Sequence, residues 1–183
     1  MREELSRRLS AAEVCKLGVG MQGDGDRLEA LYELTFDCDK QVVFNALWAF
    51  TFLDKTNVGW LNSKHDDLIN RVLVETDLAK CRLMLSMLLR QPFREEDIRP
   101  DFIDFCLTKI TACSQPHAIR VLCIKLAYEQ MKFYPELVME LEAALDLLEQ
   151  EALSTSLTSA KRQVMKKIQK HKMNEKLCWS KTS

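Results

Sequence analysis

Residues able to cap a helix recur along this chain at nearly even intervals, each followed by the same apolar positions. Asp39, Thr76, Ser114 and Ser156 stand 37, 38 and 42 residues apart. Side chains of these types accept hydrogen bonds from the first free amides of a helix. Eight positions beyond them come Leu47, Met84, Leu122 and Val164, and twelve beyond come Thr51, Leu88, Leu126 and Ile168. Pro116 falls just inside the third start, where its missing amide hydrogen costs nothing. Ahead of these starts runs another set of apolar stripes: Leu28, Leu31, Tyr32 and Phe36; Leu68, Ile69, Val72 and Leu73; Phe102, Ile103, Cys106 and Ile110. The set ends with Leu137, Leu141, Leu145 and Leu148. Steps of three and four residues put each stripe on one side of a helix.

The pattern predicts an all-α chain of about four helix pairs. A pair of roughly 35 residues cannot bury its own apolar side, so neighbouring pairs must cover one another. With 5 Gly and 4 Pro in 183 residues, little interrupts the helices. The expected units are 24–54, 63–90, 99–133 and 136–171, with second helices at 40–54, 77–90, 115–133 and 157–171, all within one domain. Residues 2–17 read as a single N-terminal capping helix with Leu5, Leu9 and Val14 inward. Gly18, Gly20, Gly23 and Gly25 read as a flexible turn, and 173–183, including Trp179, as a loosely held tail. Leu47, Met84, Leu122 and Val164 are expected to be buried at equivalent places.

The phrases Val42-Val43-Phe44-Asn45-Ala46-Leu47 and Ala118-Ile119-Arg120-Val121-Leu122 resemble the start of the second helix in HEAT and armadillo repeats. The resemblance covers about residues 24–171 and implies a short α-α superhelix, a solenoid whose second helices line the inner face. It also implies an Asp in the turn paired with an Arg early in that helix. Here the two are split, since Asp39 is followed by Asn45 while Arg82 and Arg120 follow Thr76 and Ser114. That departure favours the looser armadillo-like label over strict HEAT.

No catalytic constellation, cofactor motif or metal-ligand spacing stands out. His65, His117 and His171 fall in three different repeats, and no HExxH occurs. Cys113 and His117 straddle a helix start, which suits packing and a first-turn polar residue better than a nucleophilic pair. The four glycines of 18–25 lack the Gly-Lys-Ser/Thr of a phosphate loop. Seven cysteines, odd in number and without a CxxC, read as free thiols of a reducing compartment. Neither a secretory leader nor a run of about 20 apolar residues is present, so the cytoplasm is the expected location and no membrane span is expected.

Charge is uneven along the chain. Residues 1–160 carry 18 basic and 26 acidic side chains, whereas 161–183 carry 8 basic and 1 acidic. The basic 161–172 segment fits two roles: a polar cap lying against the acidic helix expected at 136–150, or an arm that contacts nucleic acid. Some HEAT-like proteins excise alkylated DNA bases, and Trp48, Trp60, Asp54 and the bases Arg82, Arg120, Lys125, Arg162 and Lys166 would supply such a site. A net-acidic body argues against it, because gripping a phosphate backbone calls for a basic stripe.

The reading preferred here is a non-catalytic scaffold that binds a protein or peptide. Its candidate face is the row six positions past the caps, Asn45, Arg82, Arg120 and Arg162, flanked by Trp48 and Lys125. Arginine and tryptophan are favoured anchors, one for its fork of donors and the other for its rigid apolar area. A structural reading competes with it: Arg82 and Arg120 satisfying carbonyls or acids between repeats, and Trp48 lying in the core.

Overall fold

The computed structural model describes residues 1–21, 23–53, 57–148 and 154–179, with backbone only for 174–179. All regular structure among them is helical, with no strand. The chain divides into two compact units, Met1–Pro92 and Phe93–Ser183.

The first unit opens with α1 (Arg2–Leu5) and α2 (Ala11–Val19), followed by α3 (Gly25–Glu33), a 3-10 turn Leu34–Phe36 and α4 (Lys40–Phe50). The short α5 (Val58–Asn62) leads to α6 (His65–Val74) and α7 (Leu78–Leu89). α3 with α4, and α6 with α7, form two helix pairs, and α4 packs against α7. The expected helix over 2–17 is broken in two, although Leu5, Leu9 and Val14 are buried as its pattern requires. Ser10 causes the break. Its amide donates to the Glu13 carboxylate (2.8 Å) while its hydroxyl accepts from the Glu13 amide (3.3 Å), a reciprocal cap that starts a new helix. Asn45 then donates to the Leu5 and Arg7 carbonyls (2.8 and 2.9 Å), which the broken helix leaves without helical partners.

Gly18 sits inside α2 rather than in a turn. A Cβ there would lie 2.5 Å from the Ala49 carbonyl oxygen and 2.9 Å from the Phe52 Cβ, so only glycine allows α2 to approach the end of α4 this closely. On another side of α4, Phe50 stacks on Trp60 at 5.8 Å, and Tyr32 meets both rings edge-on. The Tyr32 hydroxyl donates to Asp67. Burial and that carboxylate both push its pKa above the usual tyrosine range.

The second unit holds a 3-10 turn at Glu95–Asp97, α8 (Pro100–Thr111), α9 (His117–Met131), α10 (Pro135–Leu147) and α11 (Thr155–Trp179). Pro100 and Pro135 open their helices, where proline costs no hydrogen bond. α8 and α10 both pack on α9, and α11 lies chiefly along α9. The helical backbone of α11 runs to Trp179, beyond the end near 171 read from the pattern. Its lysines divide between two partners: Lys172 pairs with Glu142 of α10 (2.5 Å) and Lys167 with Glu129 of α9 (3.1 Å). Burial pushes the Glu129 pKa up, but hydrogen bonds from Lys132 and Lys167 outweigh it and hold the carboxyl below its usual range.

Three of the four expected caps move. Asp39 caps α4 as expected. Asp77, not Thr76, caps α7, because its carboxylate accepts from both the Ala79 and Lys80 amides. The third helix starts after Pro116, not Ser114, since a residue preceding proline is steered away from the helical conformation. Ser154, not Ser156, stands before α11, its hydroxyl accepting from the Leu157 amide at 3.4 Å. The corrected starts 39, 77, 116 and 154 are 38, 39 and 38 residues apart, more regular than the intervals read from the sequence.

Counting from these starts reassigns the core. Leu47, Met84 and Val164 are buried, but Leu122 is half-buried while Ile119, Cys123 and Ile124 take the interior of α9. Ten positions past the starts, Ala49, Met87, Leu126 and Val164 are all buried. So are Leu53, Gln91, Gln130 and Ile168 at fourteen. The two glutamines tie helix starts within their own units. Gln91 Oε1 lies 2.8 Å from His65 Nδ1 at the first residue of α6, and Gln130 accepts from the Arg99 amide at the cap of α8 (2.8 Å).

Candidate interaction surfaces

The same count locates what the second helices leave accessible. At two, five, nine and thirteen positions past the start, every residue is half-buried or exposed. In α4 and just past its end these are Gln41, Phe44, Trp48 and Phe52, and in α7 and its cap Ala79, Arg82, Ser86 and Arg90. In the second unit they are Ala118, Val121, Lys125 and Glu129 on α9, with Ser156, Ser159, Gln163 and Lys167 on α11. Steps of three and four keep each set on one side of its helix.

The residues singled out from the sequence fall into two groups. Asn45 and Arg120 are 1% and 2% exposed, so they are not surface contacts. Asn45 holds the α1–α2 break, and the Arg120 Nε donates to the Ile110 carbonyl near the end of α8 (2.9 Å). Both spend their polarity on backbone that the fold leaves short of partners. Trp48, Arg82 and Lys125 lie on the accessible stripe. Arg162 is exposed at a different offset, eight past Ser154, because Ser154 rather than Ser156 starts the helix.

On α4 the stripe is aromatic. Phe44 and Trp48 have ring centroids 5.9 Å apart, and Trp48 and Phe52 6.4 Å, a ladder spaced four residues apart along one helix side. Beside it lies an open depression of about 610 Å³ lined by Arg8, Leu9, Gln41, Phe44, Asn45 and Trp48. The wall carrying Arg8 and Leu9 exists because the chain breaks before Ser10. Arg82, exposed on α7 at the position equivalent to Phe44, makes no ion pair among the described residues. Arg90 is engaged, donating to the Thr51 carbonyl (2.9 Å) and to that of Leu53. Arg8, Phe44 and Phe52 were not singled out from the sequence. The 44, 48, 52 spacing was visible, but nothing in it said which side of α4 was covered.

The two tryptophans considered for base excision have different surroundings within the first unit. Trp48 belongs to the accessible ladder, Trp60 stacks on Phe50 within the first unit, and Asp54 lies outside the described residues. Among the described residues no three His, Cys, Asp or Glu side chains are placed to hold a metal ion. No described helix is long and apolar enough to cross a membrane.

A HEAT repeat domain model matches residues 1–168, spanning α1, both helix pairs of the first unit, and α8 to most of α11. The chain belongs to the HEAT repeat domain family. No curated protein and no solved structure matches it. In the corrected register offsets ten and fourteen are buried, while offsets five, nine and thirteen stay accessible. On or just past the second helices of the first three repeats, buried polar side chains bond stranded backbone or helix starts. Asn45 holds the α1–α2 break, Arg120 bonds the Ile110 carbonyl, and Gln91 and Gln130 secure the starts of α6 and α8.

Proposed function

We propose that this protein is a non-catalytic HEAT-repeat adaptor whose primary contact face is the accessible side of α4, and that it takes a protein or peptide segment there. One observation carries the reading. Phe44, Trp48 and Phe52 form an aromatic ladder that is left partly open to solvent beside a depression of about 610 Å³. Aromatic rings offer large rigid contact area at low entropic cost, and Arg8 and Arg82 add cationic groups that favour an acidic segment. Lys125 is the corresponding accessible residue of α9 in the second unit. We place this activity in the cytoplasm, on the support of free thiols such as Cys15 and Cys38.

A displayed library of random dodecapeptides, selected against the intact protein, tests the reading. Enriched peptides should carry aromatic or aliphatic residues next to Asp or Glu. Phe44→Ser and Trp48→Ala should each weaken their binding at least about tenfold, the loss expected of a central anchor. Thermal melting separates this from unfolding. Selected peptides that bind both folded variants as tightly as the parent protein would refute the site.

A further inference from the structure

The second unit carries an apolar face that the α4 reading does not use. On α10, Met139, Ala143 and Leu147 are four residues apart and therefore form one ridge, with Met139 65% and Leu147 58% exposed. Next to that ridge, between α10 and α11, runs a groove of about 390 Å³ whose apolar lining includes Val138, Met139, Ala143 and Ile168. The two walls have opposite charge. α10 holds Glu136, Glu140, Glu142 and Asp146 and no basic residue, whereas exposed Arg162 and Lys166 on α11 make no ion pair among the described residues.

We propose that this face pairs with the same face of a second copy of the chain about a two-fold axis. A ridge beside a groove, and an acidic wall beside a basic one, form a self-complementary pattern. Rotation by a half turn sets the α10 ridge of each copy toward the groove of the other, and acidic α10 toward basic α11. A foreign partner would need one wall of its own for each of these features, while a second copy supplies all of them.

Size sets the strength. α10 is about 20 Å long at 1.5 Å per residue, and two adjacent helices are about 20 Å wide. The footprint is then about 400 Å² per copy, short of the roughly 800 Å² per partner of long-lived complexes. Pairing is therefore weak and transient, and is sensitive to salt because exposed charges align it.

Sedimentation velocity of the full chain from about 10 to about 500 µM reads this directly. The parent protein should shift toward a dimer across that range at about 50 mM salt, and the shift should shrink at about 500 mM. Met139→Asp should abolish it with an unchanged helical spectrum, because the side chain it alters is mostly exposed. Val74→Asp, at a residue 77% exposed in the first unit, is the control and should leave the dimer intact. A parent protein that stays monomeric throughout, or a dimer lost with Val74→Asp and kept with Met139→Asp, overturns the proposal.

Discussion

α4 and α11 start from the same kind of cap and bury the same offsets, yet their open sides have nothing in common. At ten and fourteen past the start, α4 with its following turn has Ala49 and Leu53, and α11 has Val164 and Ile168, all buried. At five, nine and thirteen, α4 presents Phe44, Trp48 and Phe52, while α11 presents Ser159, Gln163 and Lys167. The stacking positions carry apolar side chains or glutamines that bond helix starts, because a polar group buried there without any partner is costly. The open positions carry no such penalty and can differ from repeat to repeat. A contact surface can therefore be placed on one helix of a repeat protein without disturbing the stack.

The comparison is most exposed to failure at adjacent residues of one helix. Leu126 is buried at offset ten in α9, and Lys125 is accessible at offset nine. Leu126→Ala should cost about 2–5 kcal/mol of unfolding free energy, the usual range for a buried aliphatic side chain. Lys125→Ala should change it by less than about 0.5 kcal/mol. Denaturant titration of both variants measures the difference, and similar losses would dissolve the division into stacking and open positions.

A smaller effect tests what lies behind the aromatic ladder. Gly18→Ala would push a methyl group against the Ala49 carbonyl and Phe52, where backbone cannot yield cheaply. It should destabilise the chain by about 1–3 kcal/mol, as overpacking does. It should also alter the near-ultraviolet signal of Trp48, which neighbours Phe52. A neutral or stabilising result would mean that α2 does not brace α4.

The smallest expected effect is electrostatic and confined to the N-terminal helices. Glu13 has its pKa lowered from 4.5 to about 2, first by the Ser10 amide, then by the Ser10 hydroxyl and Arg7. Asp37 is likewise held below its usual range, chiefly by the Arg2 guanidinium and then by the Asp39 amide. Because both folded carboxyls are depressed, their contribution is complete above the unfolded pKa and fades as pH falls through the folded one. The melting temperature of the parent should thus exceed that of Glu13→Gln at pH 7, and the gap should close between about pH 5 and about pH 2. A gap that is constant with pH would assign the difference to helix propensity instead of charge.

Much of this was legible before any coordinates. All-helical structure and four second helices followed from apolar steps of three and four, and the break at Ser10 was legible too, as the Ser-x-x-Glu signature that was passed over. The starts after the first were misread by one or two residues: Thr76 stands beside the better cap Asp77, Pro116 delays the third helix, and Ser154 stands two residues before Ser156. The slip at Ser114 put Arg120 on the surface, whereas Asn45, counted from the correctly read Asp39, was misplaced because its partners lie 38 and 40 residues away.

The sequence by itself determined the helix pairs and their repeat, since local backbone preference and apolar period act over a few residues and need no distant partner. Which side of each helix is covered was decided only by the tertiary structure. An arginine or asparagine reads the same whether it faces water or a stranded carbonyl. Only packing shows that Arg120 meets Ile110 and Asn45 meets Leu5 and Arg7, while Phe44 and Trp48 stay open. The physical reason is that burial of a polar group depends on where unpaired backbone falls after chain breaks such as those at Ser10 and Pro116. Those carbonyls find their partners at sequence separations of 10 to 40 residues, far outside the reach of a local pattern.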